Sequence, residues 1–232
     1  MNTPSAIART AVGDGSLAVT PLMLGVVPFG LIFGVTVAAT SVSNLAGWAS
    51  SIVIFGGAAQ LVAVELLDQA APLAVVIVSA LAVNARHAMY SAALANPFSE
   101  FPRPWRILTP YLLTDQAFAV SIARFETMPD PLYRRFYYLG AAATLWIVWQ
   151  LGTTVGVLVG TQIPAAWNLD FAIPLVFLAI LIPTLTSRPA VLAAVVAAAT
   201  ATAGRGIPNG LGLVIGIVVG IASGVLAERA GA

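Results

Sequence analysis

The stretch VNARHAMYSAALANP, Val83 to Pro97, sets an arginine and the sole histidine of the chain inside a run otherwise apolar enough to lie in a bilayer. A charge at mid-bilayer costs from about 2.5 kcal/mol upward on insertion scales, so such residues snorkel, pair structurally, or mark a functional site. How Arg86 and His87 are read therefore decides what kind of membrane fold this is.

Hydrophobic residues make up 59% of the 232 and charged residues 8%, against roughly 25% charged in soluble domains. With a mean hydropathy of +0.96, no segment is polar and long enough for a water-soluble domain, and the expected fold class is an all-α integral membrane protein. The net charge of +1, carried by arginine without lysine, provides no basic patch for nucleic acid. The absence of cysteine removes disulfides, thiolate metal sites and cysteine nucleophiles. Residues 1–16 carry Arg9 and Asp14 with no apolar core leading to a small-residue cleavage site. They are expected as a short tail before a single polytopic domain, 17–228.

A bilayer crossing takes about 20 apolar residues at about 1.5 Å each. Apolar segments fall at about 17–39, 45–67, 72–96, 109–124, 136–160, 171–187, 189–203 and 207–227. About seven transmembrane helices are expected, some broken or re-entrant. Segment 189–203 is short, and 109–124 contains Asp115, so each is a candidate half-helix buried against protein. Arginines flank 109–124 on both sides, Arg103 and Arg106 before it and Arg124, Arg134 and Arg135 after it. Positive residues favour the cytoplasmic face; a segment entering and leaving on one side satisfies that rule, and a single crossing violates it. The stretch 161–170 has no basic residue and is the best candidate for an outer loop.

Glycine recurs at every fourth position in Gly152, Gly156, Gly160 and in Gly212, Gly216, Gly220, Gly224. Such rows line one helix face and let another backbone approach closely. Two apolar segments carry helix-weakening residues near their middles: Pro28 and Gly30 in GVVPFGLIFG, and Gly56, Gly57 and Gln60 in IFGGAAQ. Broken helices at mid-membrane offer free amides to an anion and free carbonyls to a cation, and a zwitterionic amino acid needs both. A plain kink is the alternative at each.

Glu65, Asp68, Asp170 and Arg188 read as boundary residues. Arg86, His87 and Asp115 differ. On a helix, Asn84 with His87 and Arg86 with Tyr90 form two polar pairs on adjacent faces, while Thr114 and Gln116 flank Asp115. Arg86 and Asp115 are candidates for a buried ion pair, serving either structure or proton coupling, with Asp115 or His87 changing protonation.

The ordered motifs PFGLIFG, FGGAAQ, NARHAMY, LTDQAF and DFAIPLVFLAILIP resemble those of the AzlC-type branched-chain amino acid permeases, known for azaleucine resistance. The likeness runs from about residue 20 to 187. It implies transport, often export, of hydrophobic amino acids across the bacterial cytoplasmic membrane, together with a small AzlD-type membrane subunit. There is no P-loop motif, so the proton gradient is the expected energy source. Residues on the family's motif positions are Pro28, Gly30, Gly56, Gly57, Gln60, Asn84, Arg86, His87, Thr114 and Asp115. The breaks at Pro28–Gly30 and Gly56–Gln60 are expected to hold the substrate's charged ends, with Phe29, Phe33 and Phe55 lining the pocket. Arg86 and Asp115, supported by Asn84, His87 and Thr114, are expected to couple or gate. No catalytic group, metal or cofactor is expected: His87 and Ser91 are the only near nucleophile and base, and neither G-x-S-x-G nor H-E-x-x-H occurs. A channel or a scaffold subunit is the rival reading.

Overall fold

The computed structural model describes residues 3–128, 130–162, 185–207 and 211–231, and every element in them is helical. The chain begins with α1 (Pro4–Val19), capped by Thr3, and continues through a tight turn at Thr20–Leu22 into α2 (Met23–Ala39). The stretch expected as a tail is thus helical from Pro4. A second long helix, α10 (Pro131–Gly160), lies alongside. Ser16 donates to the Gly140 carbonyl, Gly30 meets Gly152, Gly34 meets Gly156 and Gly160 meets Val35 and Ala38. Contacts advance together along both helices, so the two run parallel. The glycine row of α10 is the close-packing seam that its spacing predicts.

Between these helices the chain makes two re-entrant hairpins and one crossing. α3 (Asn44–Val53) and α4 (Gly57–Asp68) are each about half the length a roughly 30 Å bilayer core requires. Gly47 packs on Val37 at the far end of α2, and the tip at Gly57 reaches Phe29 and Trp149 halfway down. Asp68 then returns to accept the Ser41 N–H at 2.6 Å. Segment 45–67, expected as a span, is therefore a hairpin that enters and leaves at the Ser41 end. It turns at Phe55, whose φ of 44° is left-handed.

The chain next crosses through α5 (Leu73–Asn84) and α6 (Arg86–Ala93), interrupted at Ala85. It passes the short α7 (Ala95–Ser99), where Phe98 meets Tyr138. Glu100 pairs with Arg134 at the start of α10. From that end rises the second hairpin, α8 (Arg103–Tyr111) and α9 (Asp115–Phe125). Trp105 packs on Phe136, Tyr138 donates to the Thr109 carbonyl, and Trp146 donates to the Tyr111 hydroxyl, so α8 climbs along α10 to mid-depth. α9 descends again, with Tyr137 donating to the Val120 carbonyl and Phe125 meeting Phe98. The one-sided entry inferred from the flanking arginines is the arrangement observed.

Last come α11 (Arg188–Ala203) and α12 (Leu211–Arg229). They are antiparallel, with Gly212 against Gly204, Gly216 against Ala201, and Gly220 against Ala197. Segment 189–203, suspected to be a half-helix, is extended by the turn at Gly204–Gly206 to 19 residues, enough to cross. Five stretches of the described residues are long and apolar enough to do so; the expected segment 171–187 and Asp170 lie largely or wholly outside the described residues. The turn after α11 faces Glu65–Ala71, which puts it at the Ser41 end. Arg9, Arg103, Arg106, Arg124, Arg134, Arg135, Arg188 and Arg229 then share the opposite end, and only Arg205 lies with Ser41. That asymmetry assigns the arginine-rich end to the cytoplasm.

Candidate functional site

The hairpin tips meet at mid-depth beside the interruption at Ala85. Tyr111 donates to the Ile52 carbonyl, tying α8 to the end of α3, and its ring lies 6.5 Å from Phe55. The tips and the long helices enclose a cleft of about 70 Å³. Phe29, Phe55, Leu145 and Trp149 form its apolar wall; Gly56, Gly57, Arg86, His87, Thr114 and Asp115 supply its polar side.

Arg86 Nη2 lies 3.0 Å from Asp115 Oδ2, joining the α5–α6 break to the tip of the second hairpin. The pair expected from sequence is formed, but it is half-buried, with side chains 38% and 41% exposed. Arg86 Nε and Asp115 Oδ1 have no hydrogen-bond partner among the described residues. Thr114 caps α9 by accepting the Ala117 N–H, which places Asp115 in the first helical turn, where a carboxylate is favoured by the helix dipole. His87 Nδ1 sits 3.2 Å from the Asn84 carbonyl, and its ring meets Tyr90 edge-on. Tyr90 stacks on Phe118 at 4.3 Å, bracing α6 against α9. Asn84 stands behind Gly56: a Cβ there would meet the Asn84 amide at 3.0 Å.

The start of α4 is the second polar feature. Its cap is Gly56, without a side-chain hydrogen bond. The first backbone bond runs from the Gln60 N–H to the Gly56 carbonyl. The amides of Gly57, Ala58 and Ala59 thus precede the helical ladder, as the first turn of any helix leaves them, and Gly57 and Ala58 line the cleft. At the end of the other half-helix two carbonyls are taken by side chains: Gln150 donates to Ser51 and Tyr111 to Ile52.

Three expectations need correction. Helix α2 runs unbroken through Pro28 and Gly30; proline deprives the Leu24 carbonyl of its donor, yet packing on α10 holds the helix together, and the interruption lies at Thr20–Leu22 instead. Neither Pro28 nor Gly30 lines the cleft, while Phe29 does. Phe33 is fully buried behind it, stacked on Trp149. Gln60, 1% exposed, lies beneath the tip and is saturated. Its Oε1 accepts the Gly56 N–H, and its Nε2 donates to the Ser50 and Ser51 hydroxyls. Gln60→Leu would strand these groups, at about 1–3 kcal/mol for a buried polar group. A thermal melt in detergent is expected to show a clear drop in Tm, and an unchanged midpoint would refute this bracing role.

Sequence reasoning missed Trp149 and Leu145, which sit in an unremarkable apolar run and reach the cleft only because α10 packs against α2. Among the described residues no cluster of histidine, aspartate and glutamate could hold a metal ion.

A family described as "AzlC protein" matches residues 21–163. An Archaeoglobus fulgidus protein named "Uncharacterized membrane protein" is 31% identical over 72% of this chain and 73% of its own length. "Inner membrane protein YgaZ" of Escherichia coli is 23% identical over 74% of this chain and 72% of its own. A Helicobacter pylori membrane protein is 28% identical over 61% of this chain and 60% of its own. No solved structure matches the chain. The family match takes in α2, both hairpins and α10, and leaves out α1, α11 and α12.

Proposed function

The chain belongs to the AzlC family, a membrane transporter family rather than an enzyme family, and from that premise we propose that it exports branched-chain and other hydrophobic amino acids across the bacterial cytoplasmic membrane. The proton gradient drives it, and a small AzlD-type subunit works with it. The observation that carries this reading is the mid-depth cleft, lined together by the Arg86–Asp115 pair, the helix start at Gly57 and Ala58, and an apolar wall.

The chemistry suits a zwitterion. The Gly57 and Ala58 amides and Arg86 favour the carboxylate, as helix starts and guanidinium groups do. The Asp115 carboxylate, 41% exposed, accepts from the ammonium group. Phe29, Phe55 and Leu145 shelter an aliphatic side chain. Each hairpin covers the cleft from one face, so moving one tip at a time opens it to one side, and mid-membrane irregular backbone of this kind is a recurring device of secondary transporters. Protonation of Asp115 would release Arg86 and loosen the second hairpin, linking proton movement to the cytoplasmic gate.

Counterflow of labelled leucine or valine in proteoliposomes, with and without the small subunit, tests the reading. Saturable counterflow is expected. Flux without counterflow would make the protein a channel, and no flux of any hydrophobic amino acid in either condition would remove the proposed substrate class.

A further inference from the structure

We propose that Trp149 sets the side-chain size this transporter accepts, an inference that rests on the transport reading and deepens it. The ring is 4% exposed and is held on three sides. Phe33 stacks against it at 5.7 Å, Phe29 meets it edge-on at 5.4 Å, and its six-membered edge lies over Gly30 and Gly57. A Cβ on Gly57 would fall 2.7 Å from the ring's edge and 2.9 Å from Phe29. Gly57 belongs to the helix start assigned to the carboxylate, so the indole edge lies one side-chain contact from where the substrate's α-carbon must sit. Trp149 is thereby both a wall of the cleft and the piece that the hairpin tip closes upon.

This placement suits selection by size better than selection by polarity. The indole N–H has no hydrogen-bond partner among the described residues, although a buried tryptophan usually finds one. Shape rather than hydrogen bonding therefore holds the ring, and phenylalanine can replace it without stranding a polar group. An aromatic wall packed directly against Gly57 leaves room that is set by the ring's outline. Discrimination in apolar pockets runs about 10- to 200-fold per methylene-sized difference, so shrinking the ring changes which side chains compete.

The test is competition of unlabelled alanine, leucine and phenylalanine against labelled leucine in counterflow. Trp149→Phe and Trp149→Leu are expected to improve phenylalanine relative to leucine by about tenfold. Gly57→Ala, whose Cβ would stand 2.7 Å from the ring edge and 2.9 Å from Phe29 and so takes up room between them, is expected to weaken leucine relative to alanine, and Trp149→Phe added to Gly57→Ala is expected to reverse that shift. Unchanged ratios in folded variants, or equal loss for all three amino acids, would make Trp149 a packing residue only. If Trp149→Leu does not fold, Trp149→Phe and Gly57→Ala decide the matter by the same ratios. Wild-type protein lacking leucine counterflow would overturn the transport reading instead, so the two failures are separable.

Discussion

Alanine in place of Gly156 is expected to leave little or no folded protein. Its Cβ would stand 2.1 Å from the Leu31 carbonyl oxygen and 2.9 Å from the Gly34 Cα. Those atoms are backbone of the facing helix and cannot rotate away, so α2 and α10 would have to separate along the seam that also holds Phe29 and Trp149 in place. Overpacking of a tight interior costs typically about 1–3 kcal/mol and sometimes more; a collision with backbone belongs at or above the upper end. Gly34→Ala, which would meet the Thr153 carbonyl at 2.3 Å, is expected to behave alike. Gly25→Ala is the control, since a Cβ there meets nothing within 4 Å, and alanine favours a helix over glycine by up to about 1 kcal/mol. Size-exclusion profiles and melts in detergent check all three. A monodisperse Gly156→Ala protein with the wild-type Tm would show that the parallel seam is not as described.

Asp115→Asn is expected to abolish the acceleration of transport by an imposed pH gradient, because the group proposed to carry the proton is gone, while the ion pair itself, about two-fifths exposed, contributes only about 0–1 kcal/mol. The substitution keeps the shape and the Thr114 cap while leaving Arg86 with no counter-charge. Arg86→Ala is expected to be as damaging for transport. The double variant is expected to regain stability relative to either single, because no unpaired charge remains, without regaining a response to an imposed pH gradient. Flux through Asp115→Asn that still rises with the gradient would take the proton step away from this residue.

Much of this was legible in the sequence, for identifiable reasons. Composition and segment length gave the all-helical membrane fold. The one-sided entry of the second hairpin followed from Arg103, Arg106, Arg124, Arg134 and Arg135, because charge asymmetry is written directly in residue types. The first hairpin was missed because Asn44 to Asp68 totals a span's length and carries no arginine at either end. Only the Asp68 contact with Ser41, a tertiary fact, reveals that it turns back. The Arg86–Asp115 pair was legible as two charges that the bilayer would not tolerate singly. Pro28 misled for the opposite reason: proline's missing donor is a local cost, and packing of α2 along α10 outweighs it. Gln60 read as a ligand-facing polar group, yet a helix interruption must satisfy its own backbone first, and that is where its hydrogen bonds go.

The central claim is that hairpins inserted from opposite faces meet at the cleft. Because the chain has no cysteine, single cysteines can be placed at Ser43, Gln69, Arg103 and Glu126, all exposed near the hairpin bases, and labelled with a membrane-impermeant maleimide from either side. The account predicts that Ser43→Cys and Gln69→Cys react only from outside, and Arg103→Cys and Glu126→Cys only from the cytoplasm. Labelling of Ser43→Cys and Gln69→Cys from opposite faces would make Asn44–Asp68 a plain crossing and contradict the two-hairpin site.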